Sequence, residues 1–372
     1  QLGVNAYRFS IEWSRIQPEP DTFDDEEIRH YRDVIHELKK YNITPIVTLN
    51  HFTLPKWIHD IHSASEYGNG GWIGTRSSTI GEAYIVQKFE QYSERMAKEY
   101  GDIVDYWITF NEPIVEITAA YLVGVFPPGE FGSVDHLIKA YVNILFAHAN
   151  AYKAIKKYDT IDSDNDGKNS KVTIAHHWAL YTPENPDDPK DISAAKQLDY
   201  LYNYLLFNAI IHGKIDLDLD QQYTSTTTAL NETITYDNLK GTLDLIGINY
   251  YSETRVKAKP ITLGKYVIKG TPDLNSKNEY PRSDMKYRIY PEGIYIALQF
   301  VSKFGLPILI TENGIADKHD INRARFIVDH LQQVHLALKD NIPVIGYLYW
   351  SLIDNFEWGL GYGPRFGLFS VD

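Results

Sequence analysis

Seven apolar runs of strand length punctuate the chain, and longer segments with helical spacing separate them. The runs are VNAYRFSI (4–11), TPIVTLNHF (44–52), VDYWITF (104–110), KVTIAHHWAL (171–180), LDLIGINYY (243–251), PILITEN (307–313) and PVIGYLYWSL (343–352). All are rich in Val, Ile and aromatics, and most lack strict alternation, which is how strands covered on both faces read. Between them, residues 25–40 place Ile28, Tyr31, Ile35 and Leu38 on one helical face. Thr79 and Glu82 have the spacing of a capping box for the next helix. Residues 135–157, 192–212, 291–304 and 321–339 continue the series.

Sequential β-then-α units mean parallel strands joined by helical crossovers. The expected fold class is α/β, a (β/α)8 TIM barrel, with residues 1–372 forming one catalytic domain. Seven strands are counted where eight are needed. The chain starts inside a strand at QLGVNAYRFS and stops at FGLFSVD, so a missing first β/α unit and a truncated end are expected. An open doubly wound sheet is disfavoured because no glycine-rich phosphate loop follows a strand.

Barrel active sites lie at the C-terminal ends of the strands, and here those ends are polar and aromatic. Two runs close on a glutamate: WITFNEP ends on Glu112 and PILITENG on Glu312. In a parallel barrel both are expected to face one pocket. Arg8 lies in the first run, and Asn50, His51 and Phe52 end the second. His176, His177 and Trp178 mark the fourth, Asn249, Tyr250 and Tyr251 the fifth, and Trp350, Glu357 and Trp358 follow the seventh. Aromatic faces stack on pyranose rings and forked polar groups satisfy hydroxyls. Two carboxyls in different environments can serve as acid and charged partner in glycosidic cleavage. Adjacent Tyr250 and Tyr251 must face opposite sides of a strand, so one of them is packing.

Composition narrows the possibilities. Hydrophobic content of 44% and charged content of 23% over 372 residues suit a globular protein. A net charge of -13 without a Lys/Arg cluster argues against nucleic acid, and no run approaches the roughly 20 apolar residues of a membrane span. With no cysteine there are no disulfides or thiolate metal sites, which fits a cytoplasmic protein. DSDNDGKNSKVT (162–173) opens like an EF-hand loop but ends on Thr173 instead of Glu, so a polar surface loop is the better reading. The sequons at Asn42 and Asn231 would matter only in a secreted protein. The path of residues 262–286, polar and punctuated by Pro and Gly, is not legible.

The set NAYRFSIEWSR, LNHFTLP, TFNEP, GINYY, ITENG and YWSLIDNFEW with RFG resembles glycoside hydrolase family 1, the retaining β-glucosidases and β-galactosidases, along nearly the whole chain. HFTLP and ITENGIAD look closer to its archaeal-type members than to its plant ones. The resemblance implies Glu112 as general acid/base and Glu312 as nucleophile, with carboxyls about 5 Å apart. It implies Asn111 on the sugar 2-OH, His51 on the 3-OH, and Arg8 and Tyr251 flanking the nucleophile. Trp350 would lie under the glycone, with Glu357 and Trp358 on the outer hydroxyls and Asn249 among the binding residues. No cofactor and no metal are implied, and the partner is a small β-glycoside.

Glu112 stands where thioglucosidases carry Gln, and acidic Glu357 does not suit a 6-phosphosugar. A family Gln from the first strand has no counterpart here. Two other readings stay open: another retaining barrel glycosidase, such as a β-mannosidase, or a non-catalytic sugar-binding member. His176 and His177 could be packing or aglycone-side residues.

Overall fold

The computed structural model describes residues 2–60, 70–74, 80–217, 226–229, 232–273 and 280–371. Along it run β1 (Ala6–Ser10), α1 (Asp25–Lys40), β2 (Thr44–Asn50), α2 (Tyr84–Tyr100), β3 (Tyr106–Asn111), α3 (Pro113–Tyr121), α4 (Val134–Tyr158) and β4 (Lys171–His177). Then follow α5 (Pro189–Asp199), α6 (Leu205–His212), β5 (Ile246–Asn249), α7 (Glu292–Val301), β6 (Ile308–Asn313), α8 (Arg323–Lys339) and β7 (Val344–Tyr349). All seven expected runs contain a strand. The chain divides into two compact units, residues 1–176 with 207–245, and residues 177–206 with 246–372.

In the first unit β1, β2, β3 and β4 lie side by side in that order, all parallel, in registers such as Arg8 with Ile46 and Asn50 with Phe110. Strands β2, β3 and β4 are buried on both faces, which explains their lack of alternation. An aromatic cluster packs beneath them. Trp13 stacks on Tyr92, Phe89 lies against Phe110, and the Tyr92 hydroxyl donates to the carbonyls of Ile11 and Leu49.

Helix α1 shows why these segments start and stop where they do. Asp24 caps it by accepting from the amides of Glu26 and Glu27. Acidic residues fill the first turn and lysines the last, matching the helix dipole. It ends on Asn42 at φ 56°, with Asn42 N–H bonded to Lys39 O and Ile43 N–H to Leu38 O. That is a Schellman stop, and it leads directly into β2. Helix α8 repeats the device with Asn341 at φ 59° before β7.

In the second unit β5, β6 and β7 are parallel neighbours in that order. Leu180–Pro183 forms a separate short strand, parallel to Glu253–Lys257, which also pairs with Thr271–Pro272. Gly314, just after β6, sits where a Cβ would lie 1.9 Å from the Trp350 carbonyl oxygen, so only glycine fits.

Two expectations need correction, and two features were not legible. The helix expected at 192–212 starts at Pro189, where Asp188 caps it, and a π turn over Tyr200–Tyr204 interrupts it. The path of residues 262–286 was not legible, and Ile261–Leu263 and Tyr266–Ile268 form an antiparallel hairpin there. Helix α2 begins at Tyr84 after Ala83, with no side-chain cap, so Glu82 does not serve a capping box. Its expected partner Thr79 lies outside the described residues, as does the sequon residue Asn231. The helix directly after NEP was not anticipated.

Candidate active site

Within the first unit three predicted residues meet. Arg8 on β1 donates from Nε to Thr48 Oγ1 at 3.0 Å and from Nη2 to Asn111 Oδ1 at 2.6 Å. Because Arg8 can only donate, the Asn111 oxygen must face it, and the Asn111 amide nitrogen then faces His51 Nε2 at 3.0 Å. That amide donates, so Nε2 accepts and the His51 proton sits on Nδ1, directed at Ser10 Oγ 3.4 Å away. His51 is held neutral: burial, then the Arg8 charge, push its pKa down to about 3. A chain of hydrogen bonds thus fixes the Asn111 amide by its oxygen and its nitrogen.

Glu112 follows Asn111 in a left-handed conformation, φ 46° and ψ 53°. A non-glycine residue in that region is uncommon, and such residues concentrate at functional sites. Its amide donates to Ala175 O on β4 at 2.7 Å, while its carbonyl accepts from Glu116 N, the first bond of α3. Pro113 occupies the first helical position, where its missing N–H costs nothing. The chain therefore turns from buried strand to buried helix at a single residue, and that residue is the glutamate.

Within the second unit Glu312 ends β6, buried at 5% exposure. The Tyr251 hydroxyl donates to its Oε2 at 2.6 Å. Tyr250 instead points its hydroxyl at Tyr290 O, fully buried against α7, so the adjacent tyrosines divide as expected. Asn249 is buried and accepts from Thr311 Oγ1 at 2.6 Å. Asn313 ties β5 to β7, donating to Tyr250 O and accepting from the Tyr347 hydroxyl.

Trp350 follows β7 and joins Ser351 through a cis peptide bond. It donates its amide to Asn313 O at 3.0 Å. Glu357 and Trp358 lie in the next loop, Trp358 at φ 46°. Burial first, and then the charge of Glu312, push the Glu357 carboxyl up to about 7. Tyr251, Glu312 and Glu357 are therefore brought into one electrostatic neighbourhood.

The two histidines separate. His176 is buried against Phe207, a packing role. His177 Nδ1 lies 2.9 Å from the Tyr202 hydroxyl, and its ring lies 6.3 Å from that of Tyr251. Tyr202 belongs to the π turn and had no signal in the sequence. In the 162–173 loop, Lys171 Nζ bridges Asp164 at 2.8 Å and Asp166 at 3.0 Å, while Asp162 accepts backbone amides. A lysine ammonium thus pairs with two of the three aspartates that open the loop like an EF-hand, Asp164 and Asp166.

Sequence reasoning also passed over Glu116, buried in α3 and hydrogen-bonded to Trp72. The available signal was one charge in the otherwise apolar stretch PIVEITAAY.

Against known proteins, the sequence profile described as glycosyl hydrolase family 1 matches residues 1–372. A β-galactosidase of Pyrococcus woesei is 36% identical over 422 aligned residues, which take in 100% of this chain and 79% of that protein. The solved β-glycosidase from Pyrococcus horikoshii superposes with a TM-score of 0.82 at 35% identity, covering 100% of this chain and 76% of that one. The family 1 β-glucosidase from Thermotoga maritima does so with a TM-score of 0.84 at 32% identity, covering 100% and 78%.

Proposed function

The chain belongs to glycosyl hydrolase family 1, a family of glycoside hydrolases with the (β/α)8 barrel fold, and we propose that it removes terminal non-reducing β-D-glucosyl residues with retention. β-D-Galactosides and fucosides are further substrates in this reading, and short oligosaccharides such as cellobiose fit it. The relatives' names as β-galactosidase and β-glucosidase support that range. Residues 1–372 acting as one catalytic domain, and a cytoplasmic location consistent with the absence of cysteine, belong to the same proposal. Among the described residues no helix is long and apolar enough to cross a membrane.

The observation that carries the mechanism is the 2.6 Å bond from the Tyr251 hydroxyl to Glu312 Oε2. It holds a buried carboxylate in one orientation, as a nucleophile requires. Glu112 gives its proton to the glycosidic oxygen as the bond from that oxygen to the anomeric carbon breaks. A Glu312 oxygen bonds to the anomeric carbon from the opposite side. Glu112, now a carboxylate, takes a proton from water, whose oxygen attacks the same carbon and releases Glu312. Two inversions give retention.

Asn111, fixed by Arg8 and His51, presents its amide to the 2-OH, where a bond strengthens as the oxocarbenium-like state forms. His51 contributes at the 3-OH, while Arg8 and Tyr251 flank the nucleophile. Trp350 underlies the glycone, Asn249 is among the binding residues, and Glu357 and Trp358 take the outer hydroxyls.

Treatment with an activated 2-deoxy-2-fluoro β-glucoside tests this. The fluorine slows both displacements, and the good leaving group lets only the first proceed at a useful rate. Intact mass and peptide mapping should show one added sugar on Glu312. An adduct elsewhere, or none while the sugar still binds, would overturn the assignment.

A further inference from the structure

Glu116 is a carboxyl with no place in the reaction just described, yet it is buried in the helix that the acid/base glutamate begins. Burying a charge in apolar surroundings is costly, and evolution of an apolar helix would ordinarily place Leu or Val there. Its immediate partner is Trp72, whose indole Nε1 donates to Glu116 Oε1 at 2.8 Å. Among the described residues, Oε2 has no hydrogen-bond partner.

Trp72 also reaches the other side of Glu112. Its ring meets Phe110 on β3 edge-on, with centroids 5.2 Å apart. Phe110 precedes Glu112 by two residues and Glu116 follows it by four, so one indole touches both arms of the corner. Trp72 itself is anchored: Asn143 Nδ2 donates to its carbonyl at 2.8 Å, and Asn143 Oδ1 accepts from Gly81 N at 2.6 Å. The turn that delivers it, Gly71–Ile73, needs the glycine before it, because a Cβ on Gly70 would lie 2.0 Å from Gly74 O.

We propose that Glu116 is a positioning residue for Glu112, acting with Trp72 as a clamp across the strand-to-helix corner at which Glu112 sits. The left-handed conformation at Glu112 stores strain that must be held by its surroundings. The clamp holds it by tying the first turn of α3 to the end of β3 through a single rigid side chain. Burial pushes the Glu116 carboxyl up to about 8. At neutral pH it is therefore an uncharged acceptor that the apolar cluster tolerates.

The inference rests on Glu112 being the acid/base, and the test separates the two. A misplaced acid harms substrates in proportion to how much their leaving group needs a proton. The measurement is kcat/KM for an alkyl β-glucoside against 2,4-dinitrophenyl β-glucoside in Glu116→Leu, Glu116→Gln, Trp72→Phe and Glu112→Ala. Loss of one hydrogen bond that matters to the acid should lower the alkyl glucoside about tenfold in Glu116→Leu and Trp72→Phe. The dinitrophenyl glucoside should change by less than about threefold.

Glu116→Gln keeps the acceptor and should restore the alkyl glucoside to within about threefold of the parent. An equal loss on both substrates, or no loss, overturns the clamp. If Glu112→Ala itself shows no leaving-group dependence, the acid/base assignment is what fails. Should Glu116→Leu not fold, Trp72→Phe carries the comparison alone, because it retains the ring contact with Phe110 and removes only the donor.

Discussion

Glu357 shows how one side chain can report on another. Its carboxyl is pushed up to about 7, by burial first and by the Glu312 charge second. Forming a glycosyl ester on Glu312 removes that charge and should move the Glu357 pKa downward. A carboxyl titration by difference infrared spectroscopy, before and after 2-fluoroglucosylation, would detect the move. An unchanged pKa would mean that the two carboxyls do not sense each other. The stability consequence has a definite sign. Because the folded pKa lies above the ordinary carboxylate value, folding takes up a proton between about pH 4.5 and pH 7. The contribution of this group is fully present below that window and is lost as pH rises through it. Glu357→Gln should therefore have a flatter Tm profile across the window. At this scale Glu312 and Tyr251 were identifiable from their motifs, whereas the proton position on His51 was not. It follows from Arg8 having no acceptor, which matters only once Arg8, Asn111 and His51 are neighbours.

Elements stop where backbone geometry makes them stop, and Asn42 is the clearest case. The residue reads as a glycosylation sequon, but its conformation at φ 56° makes it the left-handed residue of a helix C-terminus. Asn tolerates that region better than a residue with an apolar Cβ branch or a plain methyl. Asn42→Ala should lower stability by about 1 kcal/mol, and Asn42→Gly should match or exceed the parent. Thermal unfolding of the two variants decides it, and an equal Tm for Asn42→Ala and parent would show that the conformation exerts no constraint. The same scale explains which elements were legible. The seven strands lie in runs rich in Val, Ile and aromatics, and β2, β3 and β4 are buried on both faces, so composition marks them. The strand Leu180–Pro183 and the hairpin at 261–268 are short and partly polar, and only pairing with distant partners makes them strands. Helix α3 was not legible because its nine residues, PIVEITAAY, are mostly apolar and show no amphipathic period. The π turn at Tyr200–Tyr204 has no composition of its own.

For the whole molecule, the absence of cysteine and the occupation of Asp164 and Asp166 by Lys171 predict indifference to reductants and chelators. Incubation with EDTA should leave both kcat/KM and Tm unchanged, and a fall in either would reveal a cation that supports the fold or the chemistry. The sequence by itself determined the parallel β/α plan, because doubly covered strands and one-faced helices must be built from such runs. It also carried the family, through motifs spread along the chain, and marked Glu112 and Glu312 as candidates, since NEP and ENG place an acid at the end of a buried strand. The tertiary structure alone decided which polar groups satisfy one another. Arg8 with Asn111, Tyr251 with Glu312, and Trp72 with Glu116 are separated by 103, 61 and 44 positions. No local spacing encodes such pairs. They exist because buried donors and acceptors must find partners, and the chain path determines which partners are within reach.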